Sequence, residues 1–213
     1  MTHSLHRHGK EKDLKEDFVL MFLLSKIIPQ GTYDTMKQIW EILAGYEQDL
    51  VNYGNHHPNW GGGPLYRMED LKKADNSRMI MAVFKDRKAL TACLNELKER
   101  NLGISVLVSG LYNETGKTCA EIGLKPHTVN LSLGIHGNTG RLPGENQLEI
   151  QTMCGHAMVS SHLILHLIKE IEAGAVTCRE AAEEMARMCD CGIFNTYRAE
   201  KILKRITASS HSR

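Results

Sequence analysis

The chain lacks a long apolar run, an excess of either charge, and an apolar stretch near its amino terminus. Each absence excludes a class. The longest uninterrupted apolar run is Phe18 to Leu24, far short of the about 20 residues that span a bilayer, so no membrane partner is expected. Lys plus Arg number 26 against 25 Asp plus Glu, a formal charge of +1. That balance creates no field for a polyanion, so nucleic acid is not an expected partner. The opening MTHSLHRHGKEKDLKED has no apolar core of a secretory leader. The expectation is a cytoplasmic, reducing compartment, where cysteines act as core residues, metal ligands or nucleophiles rather than as disulfides.

What remains is ordinary globular composition. The chain has 213 residues, 42% hydrophobic and 24% charged. That length buries about 70% of the unfolded surface, enough for a core without covalent staples. Eleven histidines and six cysteines are many for this length, and they are unevenly placed.

Phe18 to Ser25 reads as a strand buried on both faces. Thr32 to Tyr46 places Met36, Ile39, Trp40 and Leu43 on one helical stripe. Asn52 to Pro64, with His56, His57, Trp60 and three consecutive glycines, reads as loop. Met79 to Phe84 predicts a second strand, and Arg87 to Arg100 a helix with Leu90, Cys93, Leu94 and Leu97 inward. Ile104 to Val108 predicts a third strand, and Asn113 to Ile122 a short helix. His127 to Ile135 alternates Val129, Leu131, Leu133 and Ile135 with polar residues, which predicts a fourth strand. His136 to Asn146 is a second glycine-rich loop. Helices are then expected over 158–173, from a Thr177/Glu180 capping box onward, and from about residue 195.

Strand–helix alternation argues an α/β fold: a small sheet of about four strands with covering helices, its central strands parallel through right-handed crossovers. The alternative is a ferredoxin-like α+β sheet, which is antiparallel. The expected organisation is an α/β domain over 1–146, its residues 1–17 a mobile arm bearing His3, His6 and His8. A helical Cys/His unit over 147–207 packs on it, and 208–213 form a tail.

Two groups carry the sharpest chemistry: Cys154-Gly155-His156 and Cys189-Asp190-Cys191. Both lie at predicted element boundaries, where side chains are free to converge. Three thiolates and an imidazole complete a tetrahedral Cys₃His zinc site. An iron–sulfur cluster is the alternative cofactor. Softness excludes magnesium and calcium. Cys178 lies eleven residues before Cys189; along a continuous helix that is about 16 Å, too far to share the site. Cys93 and Cys119 fall on apolar helical stripes and read as core thiols. His162 and His166 form an i, i+4 pair on a polar face and read as surface.

Met153-Cys154-Gly155-His156 resembles the first catalytic-cysteine motif of the proline racemase group. The resemblance covers four residues, and nothing in the chain matches that family's second motif. It implies Cys154 as an acid/base thiol. A position just before a helix would also lower its pKa, and a charged His156 would lower it again; in the metal-dependent reading His156 either completes the shell or acts as general acid/base. Gly110 to Thr118 approaches a P-loop but has five residues, not four, before Gly-Lys-Thr. Ser109, Gly110, Asn130, His136 and Asn138 sit at expected carboxyl ends of strands. In a parallel sheet they would line a pocket for a small polar, anionic ligand.

Two functions follow. One is a metal-dependent (Zn or Fe–S) or thiolate-dependent enzyme, a hydrolase, lyase or isomerase of a small polar metabolite. The other is a non-enzymatic metal-binding or redox-sensing protein with a structural site. Periodicity leaves homo-oligomer formation open.

Overall fold

The structure is a computed structural model that describes residues 4–24, 32–55, 67–73 and 79–210. The sheet has four strands: β1 (Phe18–Leu23), β2 (Leu50–Asn55), β3 (Met79–Phe84) and β4 (Val106–Ser109), in the order β2-β3-β1-β4. Every pairing is antiparallel, with β1 set against β3 from Phe18↔Phe84 to Leu23↔Met79. The small sheet with covering helices stands as expected. The parallel direction does not, because order and direction are those of the ferredoxin-like split βαβ arrangement.

Strand membership also differs from the sequence reading. Leu50–Asn55 is an edge strand where exit from a helix and a loop were expected; it carries a register shift between Leu50 and Asn52. Residues 127–135, read as a strand, pair with nothing in the sheet. The glycine-rich stretch with His56, His57 and Trp60, and His3, lie outside the described residues.

The helices are α1 (Glu11–Leu14), α2 (Thr32–Ala44), α3 (Met68–Lys72), α4 (Arg87–Arg100), α5 (Tyr112–Glu121), α6 (Glu145–Gln151), α7 (Ser161–Glu172), α8 (Cys178–Arg187) and α9 (Thr196–Ser210). β1 and β3 are apolar on both faces because both are covered. Phe18, Leu20 and Phe22 face a core with Met36, Ile39, Trp40 and Leu43 of α2 and Leu90, Cys93 and Leu94 of α4. Val19 and Met21 face the opposite way, into a core with Ile164, Met185, Ala199, Ile202 and Leu203 of the carboxy-terminal helices. The period-2 geometry of a strand makes that split obligatory. Each fully buried Leu, Ile or Phe contributes about 1.5–3 kcal/mol.

Helix boundaries follow local chemistry. Asp86 caps α4, accepting from the Ala89 amide, and Asn101 closes it at φ 45°. Thr177 and Glu180 form the expected capping box at α8. α9 continues to Ser210 through residues read as a frayed tail. No helix among the described residues is long and apolar enough to cross a membrane.

Residues 4–17, read from sequence as a mobile arm, are tied to α6 and α9 by buried charge. Asp17 accepts from Arg7 at 2.5 Å and from Arg198 at 2.8 Å. Arg205 pairs with Asp13 at 2.8 Å and Glu149 at 2.6 Å. Arg198 also donates to the His8 carbonyl.

Candidate functional site

The carboxy-terminal turn that carries two cysteines is held from several sides. After α8 the chain turns through Cys189-Asp190-Cys191-Gly192, closed by a hydrogen bond from the Gly192 amide to the Cys189 carbonyl at 3.0 Å. Gly192 has φ 70°, in the left-handed region that glycine adopts without strain. Its missing side chain matters as much: a Cβ there would overlap the Tyr53 carbonyl. The contact is reciprocal, since a Cβ on Gly54 of β2 would lie 2.5 Å from the Cys191 carbonyl oxygen. Two glycines thus let β2 and the cysteine turn pack backbone to backbone.

The next four residues are pinned in sequence. Arg7 donates to the Ile193 carbonyl, and Asn52 Nδ2 to the Phe194 carbonyl at 2.9 Å. Asn195 Nδ2 donates to the Glu16 carbonyl at 2.9 Å, and Thr196 Oγ1 to the Val51 carbonyl at 2.9 Å. The turn therefore inherits its position from β2 and from the segment before β1.

The second cysteine turn follows α6. Glu145–Gln151 forms a short helix that the sequence reading left as loop and connection, and the chain then turns through Met153 and Cys154. Met153 and Cys154 are buried, whereas Gly155 and His156 are exposed. Ala157 has φ 56° and donates from its amide to the Cys154 carbonyl at 3.0 Å. A left-handed alanine costs roughly 1–2 kcal/mol, so this turn is held against a local preference.

The two turns meet. Cys191 Sγ lies 3.9 Å from Cys189 Sγ and 3.7 Å from His156 Nδ1, and the Cys154 thiol hydrogen-bonds with Cys189. All three sulfurs are buried. A tetrahedral ion with bonds of about 2.3 Å to sulfur and about 2.0–2.1 Å to nitrogen sets S···S near about 3.8 Å and S···N near about 3.6 Å. Two such edges are in place. The four side chains are adjacent without being gathered on one centre, and no group of three or more His, Cys, Asp or Glu among the described residues has the geometry of an assembled metal site.

The electrostatics of the three thiols differ. Cys154 is pushed up, first by its hydrogen bond with Cys189 and then by burial. Cys189 is raised to about 11: its bond with Cys154 favours the thiolate, but its bond with Cys191 and burial outweigh that. Cys191 is lowered, because Cys189 donates to it. The depressed Cys154 thiol expected at a helix start is therefore not found. The helix α7 begins only at Ser161, with Ser160 as its cap, so no first-turn amides reach Cys154.

Cys178 opens α8 and Cys189 follows its end, which keeps the separation along the helix that the spacing implied. Cys93 is buried in the α2/α4 core and Cys119 is half-buried on α5. His162 and His166 are exposed on α7.

The pocket drawn from Ser109, Gly110, Asn130, His136 and Asn138 rested on parallel strands, and that premise fails. Ser109 Oγ bonds Ser4 Oγ at 2.8 Å. Gly110 lies against Phe18, where a Cβ would approach Cδ1 to 2.7 Å. Asn130, His136 and Asn138 are exposed. Lys117 sits inside α5 and pairs with Glu114 at 3.0 Å, so the near-match to a P-loop is a helix surface. A cleft of about 270 Å³ beside β2, α8 and α9 is lined by Glu47, Lys85, Arg179, Glu183, Tyr197 and Glu200 among others. None of the sequence-predicted site residues lines it. Of its charges, Arg179 pairs with Glu183 at 2.9 Å and Glu200 with Lys204 at 2.5 Å.

Comparison with protein-family models, with curated proteins and with solved structures gives no match for this chain.

Proposed function

We propose that this protein binds one zinc ion through Cys154, His156, Cys189 and Cys191, and that the ion fastens the turn after α6 to the turn after α8. The single observation that carries the reading is the pair of distances at Cys191, 3.9 Å to Cys189 Sγ and 3.7 Å to His156 Nδ1. Both are close to the edges of a zinc tetrahedron. The same separations suit hydrogen bonds among neutral thiols, so metal content decides between them. Zinc is preferred over an iron–sulfur cluster because clusters are held by four cysteines. The only further cysteine on this side of the fold, Cys178, is about three helical turns from Cys189.

A closed Cys₃His shell is structural or sensing rather than catalytic. The buried sulfurs supply the permanent ligands, and the exposed imidazole is the ligand that solvent reaches. A second reading follows from that exposure: with His156 withdrawn, the fourth position opens to water, as a metal-dependent hydrolase or lyase requires.

The test is elemental analysis of anaerobically purified protein, with its Cys191→Ser and Cys178→Ser variants. The expected result is about one zinc per chain in the wild type and in Cys178→Ser, and loss of metal in Cys191→Ser. Iron with a visible charge-transfer band points to the cluster instead. Wild-type protein that folds, keeps all four thiol and imidazole ligands free, and takes up no added zinc refutes the reading.

A further inference from the structure

Residues 127–135 are the least satisfied part of the described fold. They contain Val129, Leu131, Leu133 and Ile135, exposed by 49%, 61%, 83% and 44%. The stretch has neither helix nor strand, and among the described residues no backbone–backbone hydrogen bond involves residues 125–136. Two side-chain bonds reach it, one between His6 Nδ1 and Ser132 Oγ at 2.8 Å and one between the neighbouring His136 Nε2 and the Leu133 carbonyl at 2.9 Å; Ser132 Oγ accepts from the Gly134 amide at 3.2 Å.

The sequence of this stretch is that of a strand. Apolar residues alternate with Thr128, Asn130, Ser132 and Gly134, and between Lys125 and Arg141 no Lys, Arg, Asp or Glu interrupts it. Natural proteins blunt such an uncharged, edge-competent segment with charge or proline unless it has a partner. Neither device is present within 127–135.

An acceptor lies on the same chain. Among the described residues β4 is an edge of the sheet and bonds only to β1. Its Val106 and Val108 contact one core and Leu107 the other, and all its residues are only half-buried. A donor strand and an acceptor edge on one polypeptide satisfy each other when two copies exchange them about a two-fold axis, and that exchange closes at two rather than growing into a filament.

The area is adequate. Four apolar side chains bury roughly 100 Å² each, and the acceptor surface and the second copy bring the total to on the order of 1,500 Å². Stable interfaces bury about 1,200–2,000 Å². We infer that the chain forms a two-fold dimer in which residues 127–135 of each copy add as a strand to the β4 edge of the other. The inference is independent of the metal site, which lies on residues of other turns.

The experiment is sedimentation with hydrogen exchange on the full chain. The wild type is expected to sediment with twice the chain mass at micromolar concentration. Its amides at 127–135, and those of 106–109 that point away from β1, should exchange slowly in the dimer and quickly after dilution to monomer. Leu131→Asp/Leu133→Asp should weaken association by at least about 100-fold while leaving far-UV circular dichroism and zinc content unchanged. A monomeric wild type refutes the inference, whether its 127–135 amides are protected or not. So does a dimer whose 127–135 amides exchange freely. If the double variant does not fold, the wild-type exchange pattern alone decides.

Discussion

Replacing Asp17 by asparagine removes one negative charge and little volume, and the structure makes its cost calculable. The carboxylate is fully enclosed. Oδ1 accepts from Arg7 at 2.5 Å and from Asn195 Nδ2 at 3.0 Å, and Oδ2 from Arg198 at 2.8 Å. The Arg198 side chain is 1% exposed and its Nε has no hydrogen-bond partner among the described residues. Two buried guanidinium groups therefore share one anion. The Asp17→Asn side chain would turn an amide donor toward these donors and leave both cations without a counter-charge. Breaking a buried pair in this way costs about 3–5 kcal/mol. With a urea slope of about 3 kcal/mol/M for a chain of this length, the midpoint should fall by roughly 1–1.7 M. Urea titration followed by circular dichroism reads it directly. A midpoint shift below about 0.2 M at unchanged slope would show that Asp17 is not the anion of this cluster.

The same residue fixes a pH window. Burial pushes the Asp17 carboxyl up, but the charges of Arg7 and Arg198 and the bonds from Arg7 and Asn195 outweigh it and hold the group below its ordinary value. A depressed folded value means that the proton binds more tightly in the unfolded chain. The stabilisation is complete above the unfolded value of about 3.9 and disappears as pH falls through the lower folded value. Wild-type and Asp17→Asn stabilities should differ by a constant amount above about pH 5 and converge below about pH 4. A difference that persists undiminished at the lowest pH would contradict the assignment.

Other consequences are as concrete. Gly192→Ala should destabilise the chain by about 2–4 kcal/mol and abolish zinc uptake, since it adds a left-handed side chain and an overlap with the Tyr53 carbonyl; a variant with the wild-type melting temperature and metal content would refute the backbone contact. Burial raises Cys93 to about 12, so its stabilising contribution is complete below the free-thiol value of about 8.5 and is lost as pH rises toward the folded one. Mass spectrometry after iodoacetamide at about pH 8.5 should leave Cys93 unmodified in folded protein and modify it in urea; equal rates would place that thiol at the surface.

What the sequence made legible was whatever one element settles alone. The apolar run from Phe18 announced a doubly covered strand, and Phe18, Leu20 and Phe22 indeed face one core while Val19 and Met21 face the other. The Met36, Ile39, Trp40 and Leu43 stripe and the Thr177/Glu180 box are likewise local signals. What it hid depends on partners. Leu50–Asn55 pairs as an edge strand despite Asn52 and Gly54, because its strength comes from β3 and from the cysteine turn that Gly54 admits. Residues 127–135 carry the better strand pattern and have no strand partner among the described residues, so alternation identified their chemistry without their pairing. The direction of the sheet was hidden for the same reason, and with it fell the pocket at Ser109, Asn130 and His136.

The cysteine constellation stands between these cases. Its residues are visible in sequence, and their boundary positions suggested that they converge. The route by which they do so was not visible. Cys191 reaches His156 because Gly192 and Gly54 allow two backbones to touch, and because bonds through Arg7, Asn52, Asn195 and Thr196 hold the next four residues to β2 and to the segment before β1. Those contacts span more than a hundred residues and leave no local pattern. On the proposed zinc site they imply an order of dependence: the turn at 189–192 would be set by the sheet before an ion binds, and His156, exposed beside a left-handed Ala157, would be the group that adjusts to complete the shell. Zinc added to the folded apoprotein should therefore perturb the nuclear magnetic resonance signals of residues 154–158 more than those of 189–195. A larger response at 189–195 would reverse that order and make the ion, rather than the glycine contact, the agent that shapes the cysteine turn.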